Sequence, residues 1–195
     1  MLFRSIREIK QEIDLPIIGL YKQWVEHSDV FITPNLKAVD DIVAAGADII
    51  ALDCTFQLNH EGNPAIELLP MVKAKYPNIP IFADVSNVEE ARRAVEYGAD
   101  IVAPTLYGYT KETEHIEGAD YRMFAQFCQE FKDKAYVMME GHIYTPEDAM
   151  KCIFLGAHSV VVGSAITRPH LIAKRFVDLL SGYQSNWREA EKAKH

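Results

Sequence analysis

Six short runs of the chain are apolar nearly throughout and rich in Val and Ile. They are LPIIGLYK (15–22), ADIIALD (47–53), IPIFADV (79–85), ADIVAPT (99–105), AYVMMEG (135–141) and HSVVVGS (158–164). Unbroken apolarity over so few residues, rather than strict alternation, predicts strands covered on both faces, as in parallel sheets. Between the runs, apolar residues fall at helical spacing: Val39, Ile42 and Val43; Ile66, Leu69 and Val72; Val88, Ala91 and Val95. Phe124, Phe127, Cys128 and Phe131 follow, then Ala149, Ile153 and Phe154, and last Ile172, Phe176, Val177 and Leu180. Helix-start signals stand at Thr33-Pro34, at Ser86 through Glu89 and at Thr145-Pro146-Glu147. The pattern is repeated βα.

A repeat supports it. Ala45-Gly46-Ala47-Asp48-Ile49 recurs as Tyr97-Gly98-Ala99-Asp100-Ile101 and as Leu155-Gly156-Ala157-His158-Ser159, at intervals of 52 and 58 residues. Each glycine is placed to end a helix just before a strand, and each interval holds two βα units. The predicted strands end in single polar residues, namely Lys22, Asp53, Asp84, Thr105, Glu140 and Ser164. In a (β/α)8 barrel such ends form one ring around one mouth, whereas an open doubly wound sheet uses one switch point. No G-x-G-x-x-G follows the first strand and no G-x-x-x-x-G-K-[ST] occurs, so nucleotide folds lose support. The expected fold is α/β of the TIM-barrel type with six parallel strands. Such barrels carry eight strands and roughly 200 or more residues. The chain opens in a predicted helix from Leu2 to Ile13, with Phe3, Ile6, Ile9 and Ile13 as its stripe. That helix reads as the second of a barrel lacking its first strand, first helix and second strand. Residues 1–181 are expected to form one domain, with 182–195 as a charged tail.

Composition narrows the function. The 195 residues carry 20 Lys and Arg against 28 Asp and Glu, a net charge of −8, without a basic run, which argues against nucleic acid as a partner. Cys54, Cys128 and Cys152 show no paired spacing, and the first residues lack a signal-peptide core. No run approaches a membrane span. The expected location is the cytoplasm.

Lys22 should project into the mouth, partly desolvated, where an amine can act as base or nucleophile, or simply reach solvent. Asp53, Asp84 and Glu140 each close an apolar run; burying a carboxylate is costly, so three in one ring suggest use, although each could instead cap its loop. The turns at Glu140-Gly141 and Gly163-Ser164 match the position where barrels hold a phosphate with backbone N–H groups, and Arg168 could add a charge-assisted contact. His142 reads as a loop residue at the mouth, and Cys54 as a packing thiol. The polar stretch from Lys111 to Asp120 reads as a solvated loop able to act as a lid.

The stretches ALDCT (51–55), ADVSNVEEA (83–91), TLYGYT (105–110), EGHIYTPEDA (140–149) and VVGSAITRP (161–169), with IIGLYK (17–22) and DVFITP (29–34), follow one another in a familiar order. Over about residues 1–181 the chain resembles the N-acetylmannosamine-6-phosphate 2-epimerase family. The resemblance implies interconversion of N-acetylmannosamine 6-phosphate and N-acetylglucosamine 6-phosphate in sialic acid breakdown, with no metal or organic cofactor and an amino sugar phosphate as the only partner besides a second copy in a homodimer. It implies Lys22 as the catalytic lysine at C2 and Glu140 as the acid opposite. It further implies Asp53 as an orienting carboxylate, Asp84, Thr105, Tyr109 and Gly141 as substrate contacts, and Gly163, Ser164 and Arg168 as the phosphate grip. Gln23-Trp24-Val25 and Ser164 depart from the family's usual residues. The readings kept beside it are a non-catalytic phosphosugar-binding remnant and a Schiff-base lysine aldolase or lyase.

Overall fold

A computed structural model describes residues 3–116 and 118–181. The charged tail at 182–195 lies outside them. Six strands form one parallel sheet in chain order: β1 (Ile18–Gly19), β2 (Ile49–Asp53), β3 (Ile81–Asp84), β4 (Ile101–Ala103), β5 (Tyr136–Glu140) and β6 (Ser159–Val161). The helices are α1 (Phe3–Glu12), α2 (Leu36–Ala44), α3 (Leu68–Lys75, entered through a 3₁₀ turn at Ala65–Glu67), α4 (Val88–Glu96), α5 (Tyr121–Phe131), α6 (Pro146–Phe154), α7 (Ser164–Thr167) and α8 (Pro169–Ser181). A doubly wound sheet reverses its strand order at a switch point, whereas this one never reverses and curls as part of a barrel.

The period-two geometry of strands sorts the core into two layers. Ile50, Leu52, Ile81, Ala83, Val102, Val137 and Met139 face outward, where they pack with Ile42, Leu69 and the Phe124, Phe127 and Phe131 stripe of α5. The inner face holds Ala51, Phe82, Ile101 and Ala103, with Ile18, Leu20 and Met138 against them. Two residues beyond these inner positions come Lys22, Asp53, Asp84, Thr105 and Glu140. The polar strand ends are therefore the next layer of the barrel interior, at the carboxyl end of the sheet. The register supports this, since Asp53 lies directly beside Asp84.

The helix ends follow from local chemistry. The repeat glycines Gly46, Gly98 and Gly156 all take positive φ between 95° and 104°, the left-handed turn expected of them. Thr145 and Asp148 form a reciprocal capping box with Pro146 in the first turn of α6. Two starts differ from expectation. The cap of α2 is Asn35 rather than Thr33, and the cap of α4 is Asn87 rather than Ser86. In both, the Asn side-chain oxygen accepts the backbone N–H three residues on.

Three expected stripes are corrected. Ile6 is buried and Ile9 packs beside it, but Ile13 is exposed, because α1 ends one residue earlier. On α6 the buried residue is Cys152, while Ile153 and Phe154 face solvent. On α8 Phe176, Val177 and Leu180 are all exposed and no residue is buried. The reason is geometric: β6 pairs only with β5 among the described residues, and its three residues are half-buried.

Candidate active site

The β1 strand is short, but its chain continues into an isolated antiparallel bridge between Lys22 and Ile32. Gln23 N–H donates to the Phe31 carbonyl at 2.9 Å, and Thr33 N–H to the Tyr21 carbonyl at 2.7 Å. Thr33 has φ 46°, a left-handed conformation that a β-branched residue rarely adopts, and its hydroxyl oxygen accepts from Tyr21 N–H at 3.1 Å. Thr33 is thus a latch for the Lys22 segment. The bridge lays Phe31 beside Lys22, whose Nζ stands 5.7 Å from the ring centroid. Lys22 is exposed rather than partly desolvated as expected, because its strand ends at an open mouth.

Lys22 and Glu140 line one cavity of about 460 Å³, within the size range of small-ligand sites. Thr105, Tyr109, Gly141, Gly163, Ser164 and Arg168 line it too. Eight of the ten expected site residues therefore converge. Asp53 and Asp84 do not line it; both are buried beside it at the ends of β2 and β3. Asp53 Oδ1 accepts from Thr55 N–H at 3.0 Å and from the Thr55 hydroxyl at 2.6 Å, which is the loop-capping arrangement left open by the sequence.

The electrostatics follow burial. Burial pushes Glu140 above the usual carboxylate range, and the Lys22 charge opposes the rise. Asp84 is held well above that range, first by burial and then by the Glu140 charge. Asp53 is pushed up to about 6, again chiefly by burial, against the Thr55 hydrogen bonds. Each carboxyl holds its proton more readily than an exposed one would. One oxygen each of Asp53 and Asp84, and the Thr105 hydroxyl, are sealed from solvent without a hydrogen bond of good geometry. Thr105 is still near enough to Asp84 to oppose its rise.

At the far end, Gly163 caps the one-turn helix α7, and a Cβ there would meet open space. Arg168 joins α7 to α8 and is exposed. A cation at that point, just ahead of a helix start, is placed to hold an anion. Cys54 is fully buried among carboxylates, which pushes its thiol up and leaves it unreactive, in agreement with a packing role. The stretch from Lys111 to Asp120 is less free than expected. Thr113 is buried and bonded to Thr110, Lys111 pairs with Asp29 at 2.6 Å, and Asp120 caps α5.

Three residues near the site went unassigned in the sequence. Phe31 and Tyr144 line the cavity, as does His142, which the sequence placed at the mouth, and Glu90 is buried on α4 outside that lining. Glu90 accepts from Phe56 N–H at 2.9 Å, and from Ser86 N–H at 2.7 Å and the Ser86 hydroxyl at 2.8 Å, tying the loops after β2 and β3 together. The capping-box spacing read in the sequence ran from Ser86 to Glu89 and so stopped one residue short of Glu90.

A family model described as "Putative N-acetylmannosamine-6-phosphate epimerase" matches residues 3–182. Relatives named "Putative N-acetylmannosamine-6-phosphate 2-epimerase" include that of Caldanaerobacter subterraneus, 41% identical over 91% of this chain and 74% of its own length. Another, from Mycoplasma mycoides, is 43% identical over 90% and 77%. The solved N-acetylmannosamine-6-phosphate 2-epimerase from Clostridium perfringens superposes with a TM-score of 0.83 at 37% identity, covering 92% of this chain and 76% of that one. Mandelate oxidase, at 21% identity and a TM-score of 0.58, shares the fold alone. On a match that spans nearly every described residue, the chain belongs to the N-acetylmannosamine-6-phosphate epimerase family.

Proposed function

We propose that this chain interconverts N-acetylmannosamine 6-phosphate and N-acetylglucosamine 6-phosphate by moving one proton at C2. The carrying observation is that an amine from the segment after β1 and an acid at the end of β5, whose burial favours its protonated form, line one cavity together with Gly163, Ser164 and Arg168, which suit a phosphate. In the open-chain sugar the C2–H bond lies next to the C1 aldehyde. Lys22 Nζ, as the neutral amine, takes that proton, the electron pair moves onto the C1 oxygen as an enolate, and the protonated Glu140 carboxyl gives a proton to the other face of C2. A proton then passes from Lys22 back to Glu140 through solvent and resets the pair. Collapse of the enolate restores the aldehyde with C2 inverted. The Glu140 charge in turn helps to hold the proton on buried Asp84 beside it. The phosphate anchor fixes C2 between the two groups, which converts a chance encounter into a positioned one.

The test is to supply either sugar phosphate alone and follow both by proton NMR. The same final mixture should be reached from both directions. Borohydride added during turnover should leave Lys22 unmodified, since a proton-carrying amine forms no imine. Failure of either sugar to convert, or a reduced adduct on Lys22, would overturn the proposal.

A further inference from the structure

One wall of the cavity is an aromatic pair that the proton transfer does not use. Tyr109, on the loop after β4, stacks on the His142 ring at 5.8 Å with 18° between the planes, and Tyr107 meets that ring edge-on at 6.4 Å. Although stacked on one side, Tyr109 is 59% exposed, so its remaining surface is open at the cavity. The stack is set by backbone. Gly141 and His142 are consecutive left-handed residues, with φ 92° and 56°, and they turn the chain after β5 back toward the β4 loop. There the imidazole lies against Gly108, where an added Cβ would come within 3.2 Å of Nε2. His142 Nε2 stands 3.0 Å from the Tyr107 carbonyl oxygen. A carbonyl only accepts, so Nε2 carries the hydrogen and Nδ1 of the neutral ring is an acceptor.

The substrate's layout says what this wall meets. With C2 at Lys22 and Glu140 and the phosphate at Arg168, the acetamido group must leave the carbon chain at C2 itself. His142 is two residues from Glu140. A flat amide suits a flat aromatic surface, and its N–H suits a ring nitrogen with a free lone pair.

We propose that Tyr109 and His142 form the acetamido subsite and select 2-acetamido hexose phosphates over hexose phosphates with a bare C2 hydroxyl, an inference that rests on the C2 reading above. The test measures binding by calorimetry of N-acetylglucosamine 6-phosphate and glucose 6-phosphate to Lys22→Ala protein, which holds ligand without turnover. The same measurement is made with His142→Asn added, since Asn tolerates the left-handed turn, and separately with Tyr109→Leu added. Each added change should weaken the acetamido ligand by about five- to tenfold and glucose 6-phosphate by less than about twofold. Equal weakening of both ligands, or of neither, would overturn the subsite. Selectivity that follows this pattern, while the parent protein with Lys22 intact converts neither sugar phosphate, would instead count against the reaction and leave the subsite standing.

Discussion

Replacing Asp53 by Asn should stabilise the protein at neutral pH, by an amount that changes with pH in a fixed direction. Asp53 is 2% exposed, and one of its oxygens has no partner. Its folded-state pKa is about 6 against an ordinary 3.8, chiefly because burial penalises the charge. The folded protein therefore keeps the proton up to about pH 6, while the unfolded chain releases it near pH 3.8. Folding takes up a proton between those values, so this group's contribution to stability is greatest below pH 3.8 and falls as pH rises through about 6. At about 1.4 kcal/mol per pH unit the full penalty is about 3 kcal/mol. Asn has the same shape, keeps an oxygen for both Thr55 donors and carries no charge. Urea unfolding of both proteins at pH 4, 5, 6 and 7 isolates the effect, because every other group is common to the pair. The variant should gain little at pH 4 and about 3 kcal/mol at pH 7, with an unchanged urea slope. A gain independent of pH, or a loss at pH 7, would show that Asp53 is ionised and compensated in the fold.

Glu90 is also buried with a raised pKa, yet Glu90→Gln should have the opposite sign, because three donors converge on its two oxygens. Gln, keeping its oxygen on the two Ser86 donors, would set an NH2 group against Phe56 N–H, and a loss of about 2 kcal/mol in urea unfolding is expected; an unchanged midpoint would contradict it. Arg168→Ala should raise KM for the phosphorylated sugar roughly ten- to a hundredfold with kcat little changed. The same variant should treat N-acetylmannosamine without a phosphate as the parent protein does, and an equal loss on both sugars would remove Arg168 from the phosphate grip.

How much of this was legible in the sequence depends on what each residue needed. All six strands were readable, because a two-sided cover demands continuous apolar residues, and the repeat glycines gave away the helix ends. The polar strand ends were readable for a related reason: Lys22, Asp84 and Glu140 interrupt apolar runs at the inner-face period. What the sequence could not show was which of these reach the cavity. Asp53 and Asp84 sit at equivalent positions to Thr105, but their strands carry them beside the cavity rather than onto its wall. Phe31 was hidden because it reaches Lys22 through a bridge between two loop segments, where no periodicity applies. His142 was read at the mouth, but its stacking on Tyr109 was hidden, because it depends on a left-handed backbone at a residue other than glycine. The stripes of α6 and α8 were misread as buried because periodicity reports which face is apolar and not whether anything lies against it.

Following the C2 hydrogen in heavy water puts the Lys22 assignment to its most direct trial. Unaltered protein should wash solvent deuterium into C2 of N-acetylglucosamine 6-phosphate, while Lys22→Ala should bind the sugar and leave C2 protonated. Deuterium entering C2 at an undiminished rate in the variant would mean that some other group takes the proton, and the account of this cavity would be wrong at its centre.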